Sequence, residues 1–226
     1  MCFSTNTLIL ACILFCFQDV ESDYFEGVVE YKSFTKNHEG NFVPSRSGSK
    51  LKNHYKGTFY KVAYLGNKLF DDASTMEIIV NTADTSYYVV KHQEKVAKSI
   101  GIEGDFEDYI PYKVSLIHQN DTLLGYHCKK YEFVQLEYFT QKETVNHLWV
   151  SEKLKVANLP LLAKIFGYRN SVIKDGSLKG VVLKFESIEP DGSVRSRMEA
   201  TNVEPMELDQ SIFAVPTMYQ REEYER

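Results

Sequence analysis

Residues 181–203 read VVLKFESIEPDGSVRSRMEATNV. Val181, Leu183 and Phe185 alternate with Val182, Lys184 and Glu186, which is the two-residue period of a strand with one buried face. Pro190-Asp191-Gly192-Ser193 is a turn sequence, and Val194 to Val203 supplies the returning strand. This hairpin sets the pattern for most of the chain.

Working outward, Phe25, Gly27, Val29 and Tyr31 alternate with Glu26, Val28, Glu30 and Lys32. Asn37 to Ser49 contains Gly and Ser and reads as a loop. Leu51 to Tyr64 is rich in Tyr and Lys, with a turn at Leu65-Gly66-Asn67. Met76 to Val80 and Ser86 to His92 read as a hairpin around Asn81 to Asp84. Tyr112 to His118 and Tyr126 to Tyr138 flank a predicted turn at Asn120-Asp121, and Val145 to Val150 is a short strand anchored by Trp149. The spacing predicts roughly ten strands. The fold class is mainly β (α+β), a curved antiparallel sheet forming a half-open barrel with short helices in or across its concave side. The helical segment lies in Ser151 to Phe166, with Ser151 a candidate cap, a helix opening near Pro160, and Gly167 at its end.

Leu8 to Phe17, LILACILFCF, is ten apolar residues long, too short to span a bilayer and suited to the apolar core of a secretory signal. Val20 and Ser22 fit a cleavage site, so 1–22 is read as a signal peptide and 23–226 as one domain whose tail, 219–226, frays. Cleavage removes Cys2, Cys12 and Cys16 and leaves Cys128 alone, so the domain must be stable through packing rather than a disulfide. Cys12 is also a candidate lipidation site, since Ile9-Leu10-Ala11-Cys12 is similar to a lipoprotein box. The expected location is the periplasm or outer envelope.

The net charge of −5, from 26 basic and 31 acidic residues, argues against nucleic acid as a partner. Hydrophobic residues at 43% and charged residues at 25% are ordinary for a globular chain, which excludes wholesale disorder. Tyr 15, Phe 14 and Trp 1 favour strands.

The sequence carries little that is specific to catalysis. His38, His54, His92, His118, His127 and His147 form no HExxH-type pattern, and His127 and Cys128 are adjacent and so point to opposite faces of a strand. Cys128 could act as a nucleophile with His118 or His147 as base, but nothing beside it marks an activated thiol. Neither a GxSxG elbow nor a GxGxxG or GxxxxGK phosphate loop occurs. Glu103, Asp105, Glu107 and Asp108 lack the alternating ligands of a calcium loop and read as a solvated loop. Asn120-Asp121-Thr122 is a formal glycosylation sequon. No catalytic residue, metal or cofactor is expected.

What remains is shape. Phe25, Val29, Tyr31, Val181, Leu183 and Phe185 would line the sheet side of an apolar concavity. Leu161, Leu162, Ile165 and Phe166 would form a helical lid. The competing reading is that these residues simply fill a core, because burial is worth about 1.5–3 kcal/mol per large side chain whether its partner is protein or ligand.

Three stretches add a resemblance. Leu124 to Tyr131, LGYHCKKY, resembles the GyxCkKy strand of uncharacterised secreted proteins of the Gram-negative envelope. Leu148 to Leu154, LWVSEKL, resembles their WyTpei step. Glu199 to Val203 with Ser211 to Pro216 is similar to their closing signature, and Leu178 to Leu183 looks like their GLPGLIL segment with Lys179 in place of proline. Those families resemble the lipoprotein-carrier (LolA-like) superfamily. The resemblance implies a half-open barrel in the envelope with a hydrophobic concavity and no established reaction.

The first functional expectation is therefore a non-enzymatic protein that binds a lipid, a lipoprotein acyl chain or another apolar ligand, with peripheral membrane contact. The second is an envelope scaffold or protein-interaction module with a filled core. The third is a Cys-dependent enzyme.

Overall fold

The computed structural model describes residues 24–45, 50–65, 76–81, 86–101, 112–136, 143–156 and 180–223. The strands are β1 (Gly27–Lys36), β2 (Phe42–Pro44), β3 (Lys50–Lys56), β4 (Phe59–Leu65), β5 (Met76–Asn81), β6 (Ser86–Lys91) and β7 (Val96–Gly101). They continue with β8 (Tyr112–Leu123), β9 (Tyr126–Leu136), β10 (Glu143–Ser151), β11 (Val181–Ile188), β12 (Val194–Pro205) and β13 (Gln220–Glu223). All belong to one curved sheet that does not close into a barrel. Its order is β13-β7-β6-β5-β4-β3-β1-β12-β11-β10-β9-β8, with β2 paired to β1 off that path.

Two meanders make up this order. From β3 to β7 and from β8 to β12 each strand pairs with its neighbour in sequence, and β1 lies between the two runs, paired to β3 and β12. Gly27 opens β1 opposite Pro205 at φ 151, and a Cβ there would collide with the Glu204 carbonyl. Glycine is what allows the two backbones to approach so closely.

Successive side chains alternate between two faces. The inner face carries the larger core, in which Val29, Val80, Phe133, Leu183 and Val150 are fully buried and Tyr31, Tyr55, Tyr60 and Leu148 nearly so. The expected alternation of burial is present at Val181 to Leu183, while in β1 Gly27, Val28, Val29 and Tyr31 are all buried.

On the outer face the sequence reading needs correction. Val28, assigned there to the solvent side, is buried with Ile79, Val90, Ala97, Leu208, Phe213 and Val215. The cause is the segment 206–219, a strap that leaves β12 and crosses back over the outer face towards β7. It contains the helical structure of the described residues, a single 3-10 turn at Gln210–Phe213 capped by the Asp209 carboxylate, which accepts from Ser211 N–H.

Three more expectations change. The tail does not fray from residue 219, because β13 pairs in parallel with β7 (Gln220 opposite Val96, Glu223 opposite Ser99). Asn120-Asp121 is not a turn: a register shift between Ile117 and Asn120 absorbs two residues, β8 continues to Leu123, and Leu124-Gly125 reverses the chain. Ser151 ends β10 instead of capping a helix. The predicted helix from Pro160, with Leu161, Leu162, Ile165 and Phe166, lies outside the described residues.

Leu183→Ala removes a fully buried side chain from the middle of the inner core. It should lower unfolding stability by about 3 kcal/mol in urea titration, a large effect for one residue.

Candidate functional site

The residues expected to line a concavity do converge. Val29 and Tyr31 on β1, Val181 and Leu183 on β11, and the half-buried Phe25 and Phe185 belong to one cluster on the inner face. Tyr31 and Val181 are 2% exposed and Val29 and Leu183 0%, so protein atoms already cover these four. Ligand lining and core filling look the same at such positions.

Among them sits a polar group that the sequence reading missed. The Tyr55 and Tyr60 rings are 4.9 Å apart, and Phe25 stacks on Tyr55 at 5.7 Å. Asn53 Nδ2 donates to the Tyr55 hydroxyl (3.3 Å), and the Tyr31 hydroxyl donates to the Val182 carbonyl (3.1 Å). Burial pushes the Tyr31 and Tyr60 phenols well above the ordinary tyrosine value and Tyr55 also up, so all three stay neutral hydroxyls. Asn53 Oδ1 and Ser151 Oγ are buried without a hydrogen-bond partner among the described residues. The available signal was the alternation of Leu51, Asn53 and Tyr55, obscured because the turn between β3 and β4 rests on the single glycine Gly57.

Gly180 anchors one end of this face. A Cβ there would collide with the Ser151 carbonyl, and the Val181 N–H donates to the Leu154 carbonyl at 3.0 Å.

Cys128 does not form a nucleophilic pair with the histidines considered for it. It is 2% exposed, its Sγ lies 3.5 Å from the Tyr126 carbonyl, and it stands opposite Asp121. Burial raises the thiol pKa, the Asp121 charge adds to that, and a backbone hydrogen bond at Leu123 only partly opposes it. His147 lies opposite Glu132, four residues along β9, and its Nε2 is 3.5 Å from that carboxylate. His118 sits in the β8 irregularity. Among the described residues no three His, Cys, Asp or Glu side chains are arranged to hold a metal ion.

On the outer face the strap is held at both ends. Near its start, Glu26 Oε1 accepts from Leu208 N–H (2.7 Å) and from Lys56 Nζ (2.6 Å), while Lys56 also donates to the Leu208 carbonyl (2.7 Å). One residue's backbone is thus gripped at both its donor and its acceptor by an ion pair. At the far end the Tyr219 hydroxyl lies 2.8 Å from His92 Nδ1, and His92 Nε2 reaches Glu77, itself paired to Lys61 at 2.8 Å. Between sheet and strap is a half-open recess of about 220 Å³ lined by Phe59, Ile79, Tyr88, Phe213, Val215 and Arg221 among others, smaller than the usual 300–1,000 Å³ of a small-molecule site.

A family model described as a domain of unknown function (DUF4412) matches residues 25–219. The chain belongs to that family. The matched region runs from just before β1 to the end of the strap, so both meanders and the strap fall inside it. The motif order in the sequence likewise pointed to an uncharacterised family. No curated protein matches the chain. Among solved structures it is similar to an uncharacterized conserved protein from Thermus thermophilus (7% identity, 88% of this chain and 91% of that one, TM-score 0.47). It is also similar to the Pseudomonas aeruginosa MucA/MucB complex structure (11% identity, 88% of this chain and 59% of that one, TM-score 0.42). A third is a candidate outer membrane lipoprotein-sorting protein domain from Vibrio parahaemolyticus (10% identity, 85% and 90% covered, TM-score 0.35).

Two outcomes follow from this geometry. Iodoacetamide at neutral pH should leave Cys128 unmodified in the folded protein and alkylate it after denaturation; rapid labelling of the native state contradicts its burial. Partial burial of Glu26 raises its pKa, but the Leu208 N–H and Lys56 outweigh this and hold the carboxyl below the ordinary value of 4.5. A carboxyl lowered by folding stabilises the fold above its unfolded pKa, and that contribution fades as pH falls through the folded value. The Leu208 amide resonance should follow this acid titration, and Glu26→Gln should abolish the response.

Proposed function

We propose that the protein is a non-enzymatic protein of the bacterial envelope, exported to the periplasm or outer envelope, that binds a lipid or lipoprotein acyl chain against the inner face of its sheet. One observation carries this reading. The apolar inner face runs unbroken from Val80 and Tyr60, across the β1–β12 seam, to Phe133, in a sheet whose two ends do not meet. A closed barrel covers such a face with its own strands, whereas this open sheet is covered by other protein atoms, and an acyl chain would lie between the sheet and that cover. The neutral hydroxyls of Tyr31, Tyr55 and Tyr60 and the unpartnered Asn53 Oδ1 supply the few polar groups that orient a ligand in such a site. Export is supported by the Leu8 to Phe17 run and by the family resemblance. Burial of the Cys128 thiol, which raises its pKa, counts against the Cys-dependent enzyme reading.

A second reading, an envelope interaction module with a filled interior, is favoured by one observation. Val29, Phe133 and Leu183 have no exposed surface left to offer a ligand.

Native mass spectrometry of the protein purified gently from its own envelope separates the two. The lipid reading expects a bound mass that is lost on denaturation and regained on adding fatty acid or phospholipid. A clean apo mass with no uptake supports the filled module instead.

A further inference from the structure

The β8–β9 hairpin, twelve and eleven residues long at one end of the sheet, turns on Leu124 (φ 52) and Gly125 (φ 81). Two successive residues with positive φ form the tight hairpin turn in which Asn-Gly or Asp-Gly is preferred, because a side chain crowds the backbone there. Leucine is a poor choice. It is also 47% exposed, and a Cβ built on Gly125 would meet nothing within 4 Å, so the tip projects clear of the protein. The other described turns between strands carry His38-Glu39-Gly40, Gly57-Thr58, Gln93-Glu94-Lys95 and Pro190-Asp191-Gly192, none with an aliphatic tip. Lys95 shares the left-handed backbone (φ 52) but bears a charge. Leu124 therefore departs from the favoured choice twice, in its backbone and in its exposure, and an outlier of this kind points to function.

What stands behind the tip suggests the partner. Tyr126 packs against the inner cluster, and Lys153 Nζ lies 6.0 Å above its ring. Lys129 is already paired with Glu152 at 2.7 Å. Aliphatic tip, then aromatic ring, then cation is the order in which side chains suit the hydrocarbon margin, the headgroup level and the phosphates of a bilayer. We propose that the Leu124 tip of the β8–β9 hairpin inserts into the margin of a lipid bilayer, with Tyr126 at headgroup depth and Lys153 on the phosphates. This contact requires nothing to be bound on the inner face.

The test compares the purified protein with its Leu124→Asn variant in sedimentation with protein-free vesicles of phosphatidylethanolamine and phosphatidylglycerol. Asparagine suits the turn, so the variant should unfold at an equal or higher temperature, which removes misfolding as an explanation. Its partitioning onto vesicles should fall about tenfold or more, the scale expected from losing one buried leucine. Leu124→Trp should keep the association, with tryptophan emission shifting to the blue when vesicles are added. Wild-type protein that stays in the supernatant overturns the proposal and leaves the tip to a protein partner; a Leu124→Asn variant that sediments like wild type also overturns it. Fatty-acid uptake, which reports on the inner face, should be unchanged by Leu124→Asn, so failure of the tip and failure of the ligand reading give different results.

Discussion

The ladder between β1 and β12 is the constraint on which the rest of the structure depends. Gly27 pairs with Pro205 and Thr35 with Ser196, so residues about 160 to 180 positions apart must find each other. Within the meanders most ladders close loops of ten residues or fewer, with residues 152–180 between β10 and β11 the long exception, whereas this ladder closes a far longer one. Its return is the joining of two half-sheets into one apolar face, with Val29 and Tyr31 beside Ala200 and Leu183 in a common core. A shift between Glu30 and Tyr31 interrupts the ladder, a local irregularity of the kind that lets a sheet bend.

The same ladder decides what happens on the other face. Because β12 ends beside the start of β1, the chain after Pro205 emerges next to Glu26, and Glu26 with Lys56 captures the Leu208 backbone as it passes. The strap then covers Val28, Ile79 and Val90 and delivers β13 to β7. An edge strand that could pair with another chain is thereby occupied by the protein's own C-terminal segment. An ion pair and the backbone of one residue set the course of the whole strap.

The second half of the outer face has no strap over it among the described residues, and it solves burial differently. Trp149 is 5% exposed although it shares a face with charged neighbours. Lys130 and Lys184, its partners on the two adjacent strands, lie 4.9 and 4.3 Å from the ring centroid. Their aliphatic stems and charges shield the indole, with Glu186 drawing Lys184 along the strand at 2.9 Å. His147 completes the surround with an edge contact at 6.1 Å.

Local pattern was enough to read the strands at 25–31 and 181–203, since alternate positions there, Val29, Tyr31, Val181 and Leu183 among them, are buried on one face. It was also enough to place six sheet residues on that face. It failed where a distant segment changes the environment: nothing near Val28 announces Leu208 or Phe213, and nothing near Gln220 announces Val96. It failed again at Asn120-Asp121, where turn-forming residues follow a strand irregularity inside β8 and the chain reverses at Leu124-Gly125. The sequence by itself determined the strand period and the family, because these rest on neighbours in the chain. Only the tertiary structure decided which face is inner, what covers the outer one, and that a leucine sits on a left-handed turn, because each depends on contacts or backbone angles set by residues far away in sequence.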